Sequence, residues 1–226
     1  MPLCIMTCGW GERDRAMDED DESREEVPEM TAQLALPDRQ VWTIEDLVSL
    51  PDDGHRYEIL DGSLLVSPAP PLRHQVAADR LRAVLLAAAP DDVEAVTATA
   101  VDISATSPAL GPQAPVPDIV VAGPRVWDRP GLFVLPPDVL LLVEVESPRT
   151  SRDRTLKPAL FARAGIPAFW RVELEGPGTP AVVVHELVGE VYREVVTVRA
   201  GESVVVDVPF PVELRPAELV GPRRRS

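Results

Sequence analysis

Lysine is almost missing from this chain. Of its 22 basic residues only Lys157 is a lysine, and the other 21 are arginine. With abundant alanine, valine and proline, this bias is that of a GC-rich bacterial genome, and it makes a lysine that persists worth explaining. Cysteine is equally scarce. Cys4 and Cys8 are the only two, both among the first ten residues, so no disulfide framework holds the body together. Without a histidine beside them they also make a poor zinc site. No apolar run approaches the roughly 20 residues that cross a bilayer, and the N-terminus lacks the basic-then-apolar order of a signal peptide. No internal repeat is visible. These absences describe a cytoplasmic protein with no membrane partner.

What is present suits one globular domain. At 226 residues, 45% hydrophobic and 26% charged, the chain is long enough to bury a substantial core. The formal net charge of −15 is unevenly spread. Residues 1–29 hold ten acids and three arginines, a balance of −7, which leaves −8 for the remainder. That first stretch lacks apolar periodicity. Residues 1–30 therefore read as an acidic, disordered tail, with Met30 a candidate start; 31–220 read as a single domain, and 221–226, with Arg223, Arg224 and Arg225, as a frayed basic end. An acidic chain argues against a broad grip on nucleic acid through phosphate neutralisation, while leaving room for a local site that meets phosphate through a metal.

The pattern predicts an α/β fold. Thr43 is a helix N-cap before Ile44–Leu50. Arg56–Leu60 and Ser63–Ser67 flank Asp61-Gly62, a hairpin turn signal. Pro70-Pro71 opens a helix over Leu72–Ala89, with Val76, Leu81, Val84 and Leu85 at helical spacing. Val93–Ser104 reads as a strand and Ala105–Pro117 as a loop. Asp118–Ala122 is a short apolar strand. Val139–Val145 is a continuous apolar run, the mark of a strand buried on both faces. A helix over Arg152–Ala164 stops at Gly165, ahead of Pro167. Phe169–Val172 is the next strand, and Ala181–Leu187, Val191–Val198 and Ser203–Val208 read as a C-terminal β-meander. Trp127 and Trp170 read as packing residues.

Acids inside apolar strands carry the chemical signal. A buried carboxylate costs several kcal/mol unless it is paired or bound to a metal. Glu144 interrupts an apolar strand, and Glu146, two residues on, points to the same face. Asp118 opens another core strand directly after Pro117. Two adjacent strands that bring carboxylates to one edge make a site for a hard cation such as Mg²⁺. Lys157 lies in the helix after the Glu144 strand, one turn beyond Asp153. There it is placed either to stabilise charge on a phosphoryl oxygen or to form a simple i, i+4 surface pair with Asp153.

Together these residues carry a resemblance. Pro117-Asp118-Ile-Val-Val, Leu142-Val-Glu144-Val-Glu-Ser147-Pro148-Arg-Thr150, Asp153, Lys157 and Ala164-Gly165-Ile-Pro167-Ala-Phe-Trp170 resemble the Uma-two family of restriction endonucleases, within the PD-(D/E)XK nuclease superfamily. Tyr57-Glu58-Ile-Leu-Asp61-Gly62 and Ser67-Pro68 before His74 fit its N-terminal pattern. The resemblance spans roughly residues 40–215. It implies a restriction-endonuclease-like core, a mixed β-sheet flanked by helices, that hydrolyses nucleic-acid phosphodiesters, with DNA the expected substrate and Mg²⁺ or Mn²⁺ the expected cofactor. Asp118 matches the motif's first acid and Glu144 its second. Lys157 matches a lysine displaced into the following helix, since Glu146 stands where the superfamily usually has lysine. Glu58 matches an acid that joins the metal shell.

The supporting residues each keep two readings. Glu58 is a metal ligand or a solvent-facing strand residue. Glu146 is a third ligand or a partner for Arg149 or Arg152. Asp153 is a helix N-terminal acid or a brace for Lys157. His74 is a ligand or, as lone histidines more often are, structural. Ser147 suits a helix cap, since no His-Asp pair is spaced to make it a nucleophile. The rival to the enzyme is a catalytically inactive nuclease-fold binding protein, which the acidic composition favours. A homodimer is expected on the ground that one metal site cuts one strand.

Overall fold

The computed structural model describes residues 40–106, 111–128, 131, 133–146 and 151–222, with the side chains of 151–154 outside that description. The acidic tail, the two cysteines, Met30, Ser147, Arg149 and the terminal arginines fall outside it, as do the side chains of Arg152 and Asp153. The described residues belong to one compact unit, Pro37–Ser226.

At the centre lies a six-stranded mixed sheet built from β3 (Glu94–Thr97), β4 (Ile119–Ala122), β5 (Val139–Val145), β6 (Ala168–Glu173), β7 (Ala181–Val188) and β8 (Val191–Val198), in that spatial order. Every neighbouring pair is antiparallel except β5 and β6. A parallel pair needs a crossover, and here it is the helix α3 (Ser151–Arg163). Antiparallel β4 starts where β5 ends, because Ile119 pairs with Val143. Asp118, one residue before β4, and Glu144, near the close of β5, therefore come to the same end of the sheet.

Alternation sorts the strand residues into two cores. Ile119, Val121, Leu141, Val143, Trp170 and Val172 face one side, where α2 (Leu72–Ala88) packs through Ala77, Ala78, Leu81 and Leu85. Val120, Ala122, Leu142 and Phe169 face the other, where α3 packs through Leu160 and Phe161, with Ala164 just beyond its end. With apolar cover on both faces, β5 is buried along almost its whole length, as its unbroken apolar run implies.

The flanking pieces follow local rules. The short helix α1 (Ile44–Val48) begins at Thr43, and the Asp46 carboxylate accepts hydrogen bonds from the Thr43 backbone N–H at 2.9 Å and its hydroxyl at 3.2 Å. The strands β1 (Arg56–Leu60) and β2 (Ser63–Ser67) form the expected hairpin, with Asp61 and Gly62 both at positive φ, 53° and 66°. Gly165, at φ 72°, follows the end of α3.

Three expectations need correction. The strand expected over Val93–Ser104 ends at Thr97. Ala98 takes a positive φ of 52°, and the chain beyond it bonds instead to the segment before β4, through Val101 N–H to the Pro115 carbonyl and Ile103 N–H to that of Gln113. The segment before Pro117 carries no strand, as expected of a loop, but residues 113–117 are buried. The last piece of the meander also leaves the main sheet. Its strand β9 (Val204–Val206) pairs with β10 (Val212–Leu214) in a separate two-stranded sheet, so the meander runs β6-β7-β8. Trp170 is buried in the core as expected, but Trp127 is 72% exposed on a single 3₁₀ turn.

Gly62 is the tightest point of the hairpin. A Cβ there would meet Val41 Cγ1 at 3.2 Å as well as carry the cost of positive φ. Gly62→Ala is expected to destabilise the protein by about 1–2 kcal/mol, read as a lowered midpoint in urea unfolding; an unchanged midpoint would refute this account of the turn.

Candidate active site

The hairpin and the buried segment before β4 are joined along their backbones. Ile59 and Ala114 exchange two hydrogen bonds, of 3.2 and 2.7 Å, and Gly62 N–H donates to the Pro112 carbonyl at 3.0 Å. This docking turns Glu58 inward, so that only 6% of it is exposed. Its Oε1 accepts the Val116 backbone N–H at 2.7 Å. Val116 stands between Pro115 and Pro117, neither of which has an N–H to give. Its amide is the single main-chain donor of that tripeptide, and it is spent on Glu58.

Lys157 arrives from the other side. It lies two turns into α3, and helical side chains lean toward the N-terminus of their helix. That lean carries the ammonium back toward the end of β5. Its Nζ lies 2.8 Å from Glu58 Oε1 and 3.1 Å from Glu144 Oε1, and only 2% of the residue is exposed. The lone lysine is thus the charge shared by two carboxylates that come from the hairpin and the central strand.

Asp118 is held separately. Arg56 of β1 reaches its Oδ1 at 2.8 Å. Its Oδ2 accepts the Val145 backbone N–H at 2.7 Å and lies 3.2 Å from His74 Nε2, near the start of α2. Burial by itself would raise the Asp118 pKa, but His74, Arg56 and the Val145 amide together hold it below the ordinary value. Asp118 is accordingly kept ionised.

Glu144 goes the opposite way. Complete burial pushes its pKa up, Lys157 opposes this, and the nearby Asp118 and Glu58 carboxylates add to the rise, which reaches about 8. One ammonium shared between two carboxylates does not neutralise both. Among the described residues the cluster holds three acids, Glu58, Asp118 and Glu144, against Arg56, Lys157 and one histidine.

The structure therefore gathers Asp118, Glu144, Lys157, Glu58 and His74 in one place. Glu146 pairs with Arg171 of β6 at 3.0 Å, while Arg149 and the Arg152 side chain, its expected partners, lie outside the described residues. The Asp153 side chain lies outside the described residues. Arg56 was not singled out from sequence, and little in its pattern marks it: it is one polar residue at the partly buried start of a strand. Among the described residues no three His, Cys, Asp or Glu side chains converge as a ligand set. A metal here would rest on Asp118 and Glu144, with the remaining positions left to water and substrate.

Acids at the same end of two adjacent central strands, with a lysine from the crossover helix between the parallel pair, define a restriction-endonuclease-like α/β protein. Among solved structures the fold is similar to that of "a putative nuclease belonging to DUF820 from Anabaena variabilis ATCC 29413", with a TM-score of 0.55 and 19% identity, covering 74% of this chain and 89% of that one. The chain belongs to the Uma2 family, described as "Putative restriction endonuclease", whose model matches residues 44–219. Membership places it among endonucleases, which are hydrolases. No curated protein sequence matches it significantly.

The raised pKa of Glu144 makes metal-free stability depend on pH with a defined sign. The folded state keeps the Glu144 proton up to about 8, whereas the unfolded chain releases it near 4.5. The stability that this proton confers is full below about 4.5 and is lost as pH rises through 8. In chelator-treated protein, Glu144→Gln should gain on wild type by a few kcal/mol between pH 5 and 8, at up to about 1.4 kcal/mol per pH unit. Thermal melts across that range check this, and parallel curves for the two proteins would refute it.

Proposed function

We propose that the chain is a divalent-metal-dependent endonuclease that hydrolyses the phosphodiester backbone of DNA. The observation that carries this reading is the meeting of Asp118, Glu144 and Lys157 at one buried end of the sheet. The donor set suits Mg²⁺ or Mn²⁺, hard cations that accept one or two carboxylates and fill their remaining positions with water and phosphate oxygens. The charge balance suits them as well. Burial first, and the Asp118 and Glu58 carboxylates after it, push Glu144 toward its neutral form, and a cation beside Asp118 and Glu144 would favour the ionised carboxylate.

When bound, such a metal lowers the pKa of a coordinated water and polarises the scissile phosphate. The chain's own groups do the rest. Arg56, His74 and the Val145 amide present Asp118 as an ionised ligand. Glu144 supplies the second carboxylate. The Lys157 ammonium orients the attacking water and offsets negative charge as it builds on the phosphate oxygens. Low solvent access strengthens each of these electrostatic contacts. Cutting both strands of a duplex would call for a two-fold pair of copies. No helix among the described residues is long and apolar enough to cross a membrane, which suits a cytoplasmic nuclease.

The test is a panel of DNA and RNA substrates incubated with Mg²⁺ or Mn²⁺, with metal affinity measured by calorimetry. Wild type should cut DNA. Asp118→Ala should lose both cleavage and metal binding. Lys157→Gln should lose about 10²–10³-fold in rate while keeping the metal; its folded fraction is checked by circular dichroism, because Glu58 and Glu144 lose their shared partner. A wild type that binds metal and DNA but cleaves nothing would overturn the enzyme in favour of an inactive binding protein. Undiminished cleavage by Lys157→Gln would remove the role given to the lysine.

A further inference from the structure

We propose that Glu58 is a positioning residue that holds the Lys157 ammonium over the active site, and is not one of the metal's ligands. The proposal rests on the nuclease reading above and assigns Glu58 a place within it. Three observations support it. First, Glu58 Oε1 links the lysine to a fixed main-chain group, accepting the Val116 N–H at 2.7 Å and meeting Lys157 Nζ at 2.8 Å. Second, Lys157 Nζ lies 2.8 Å from Glu58 Oε1, as near as its hydrogen-bonded partner Glu144 Oε1 at 3.1 Å, so the hairpin acid is an anchor in its own right. Third, Glu58, Asp118 and Glu144 do not form a converging three-ligand set.

The arrangement has a physical purpose. Lysine has four rotatable bonds and a compact charge, so an ammonium that must act on one water needs its rotamers restricted. Glu144 is a poor sole anchor, because any cation it ligates draws its charge away from the lysine. Glu58 is fixed independently of Glu144, by a backbone amide in a buried segment whose neighbouring prolines restrict it. With Glu58 as anchor, Lys157 keeps its place when Glu144 turns to a metal.

Lys157 is the only lysine in the chain, so protein labelled with [¹⁵N]lysine gives a single side-chain ammonium signal. The full chain is studied metal-free by NMR, and then with Mn²⁺ by calorimetry and DNA cleavage, as wild type, Glu58→Gln and Glu58→Ala. Glu58→Gln keeps the shape and an oxygen that can accept the Val116 amide. Both variants are expected to shift the Lys157 Nζ signal and speed its proton exchange with water. Both should lower kcat by tenfold or more, Ala beyond Gln, while KM stays within about threefold and Mn²⁺ affinity within about threefold of wild type. Mn²⁺ affinity weakened tenfold or more in Glu58→Gln would make Glu58 a ligand and overturn the proposal, as would a Lys157 signal that does not move. If Glu58→Ala does not fold, Glu58→Gln decides alone. If wild type cuts nothing, the nuclease reading fails, and the NMR comparison still decides whether Glu58 holds the lysine.

Discussion

A charge inside an apolar sheet has to be met by another charge, by hydrogen bonds or by a proton. Glu144 sits on a strand buried along almost its whole length, and much of the surrounding structure follows from that one requirement. Lys157 reaches back along α3 to it. The hairpin docks so that Glu58 can share the same ammonium. On the adjoining strand Asp118 takes the other solution, with an arginine, a histidine and a backbone amide around it. The two acids lie at the same end of the sheet yet are driven in opposite directions, one kept ionised and the other pushed toward its neutral form. Environments that separate like groups in this way are characteristic of sites where a proton or a cation is exchanged.

The fold places these groups economically. An antiparallel step from β4 to β5 brings Asp118 beside Glu144, and the parallel step from β5 to β6 obliges a helix to pass over the same end. The helix must then pack on the face to which Glu144 points, and it does so through Leu160 and Phe161. Lys157 is the polar member of that apolar contact surface. The topology of six strands and the chemistry of one site are thus the same set of choices, seen at two scales.

Much of this was legible in the order of residues, for local reasons. An unbroken Val-Leu run announced a strand covered on both faces, and an acid inside it stood out because burial makes such a residue costly. Asp61-Gly62 announced its turn because few other dipeptides accept two positive φ values. Asp118 and Glu144 could be singled out on the cost of burial, and Lys157 by its rarity and its match to the family pattern. What escaped were relations made across the fold. The inward turn of Glu58 depends on an amide 58 residues away, and the Arg56–Asp118 contact spans 62. Neither leaves a periodic trace. The strand overextended to Ser104 failed for a similar reason: its apolar residues are buried, but by a neighbouring segment rather than by the main sheet. Trp127 was misjudged because an aromatic residue carries no local sign of which way its turn faces.

The hydrogen bond from Val116 to Glu58 has a consequence for how the site tolerates change. Its donor is a main-chain group, so the identity of the side chain at position 116 does not matter to it. Nineteen of the twenty amino acids would supply the same N–H, and the flanking prolines, which restrict the segment, would present it in the same direction. Proline alone would erase it. A point on which the geometry of the lysine depends is thereby insulated from most substitutions, and drift at this position is limited by packing alone.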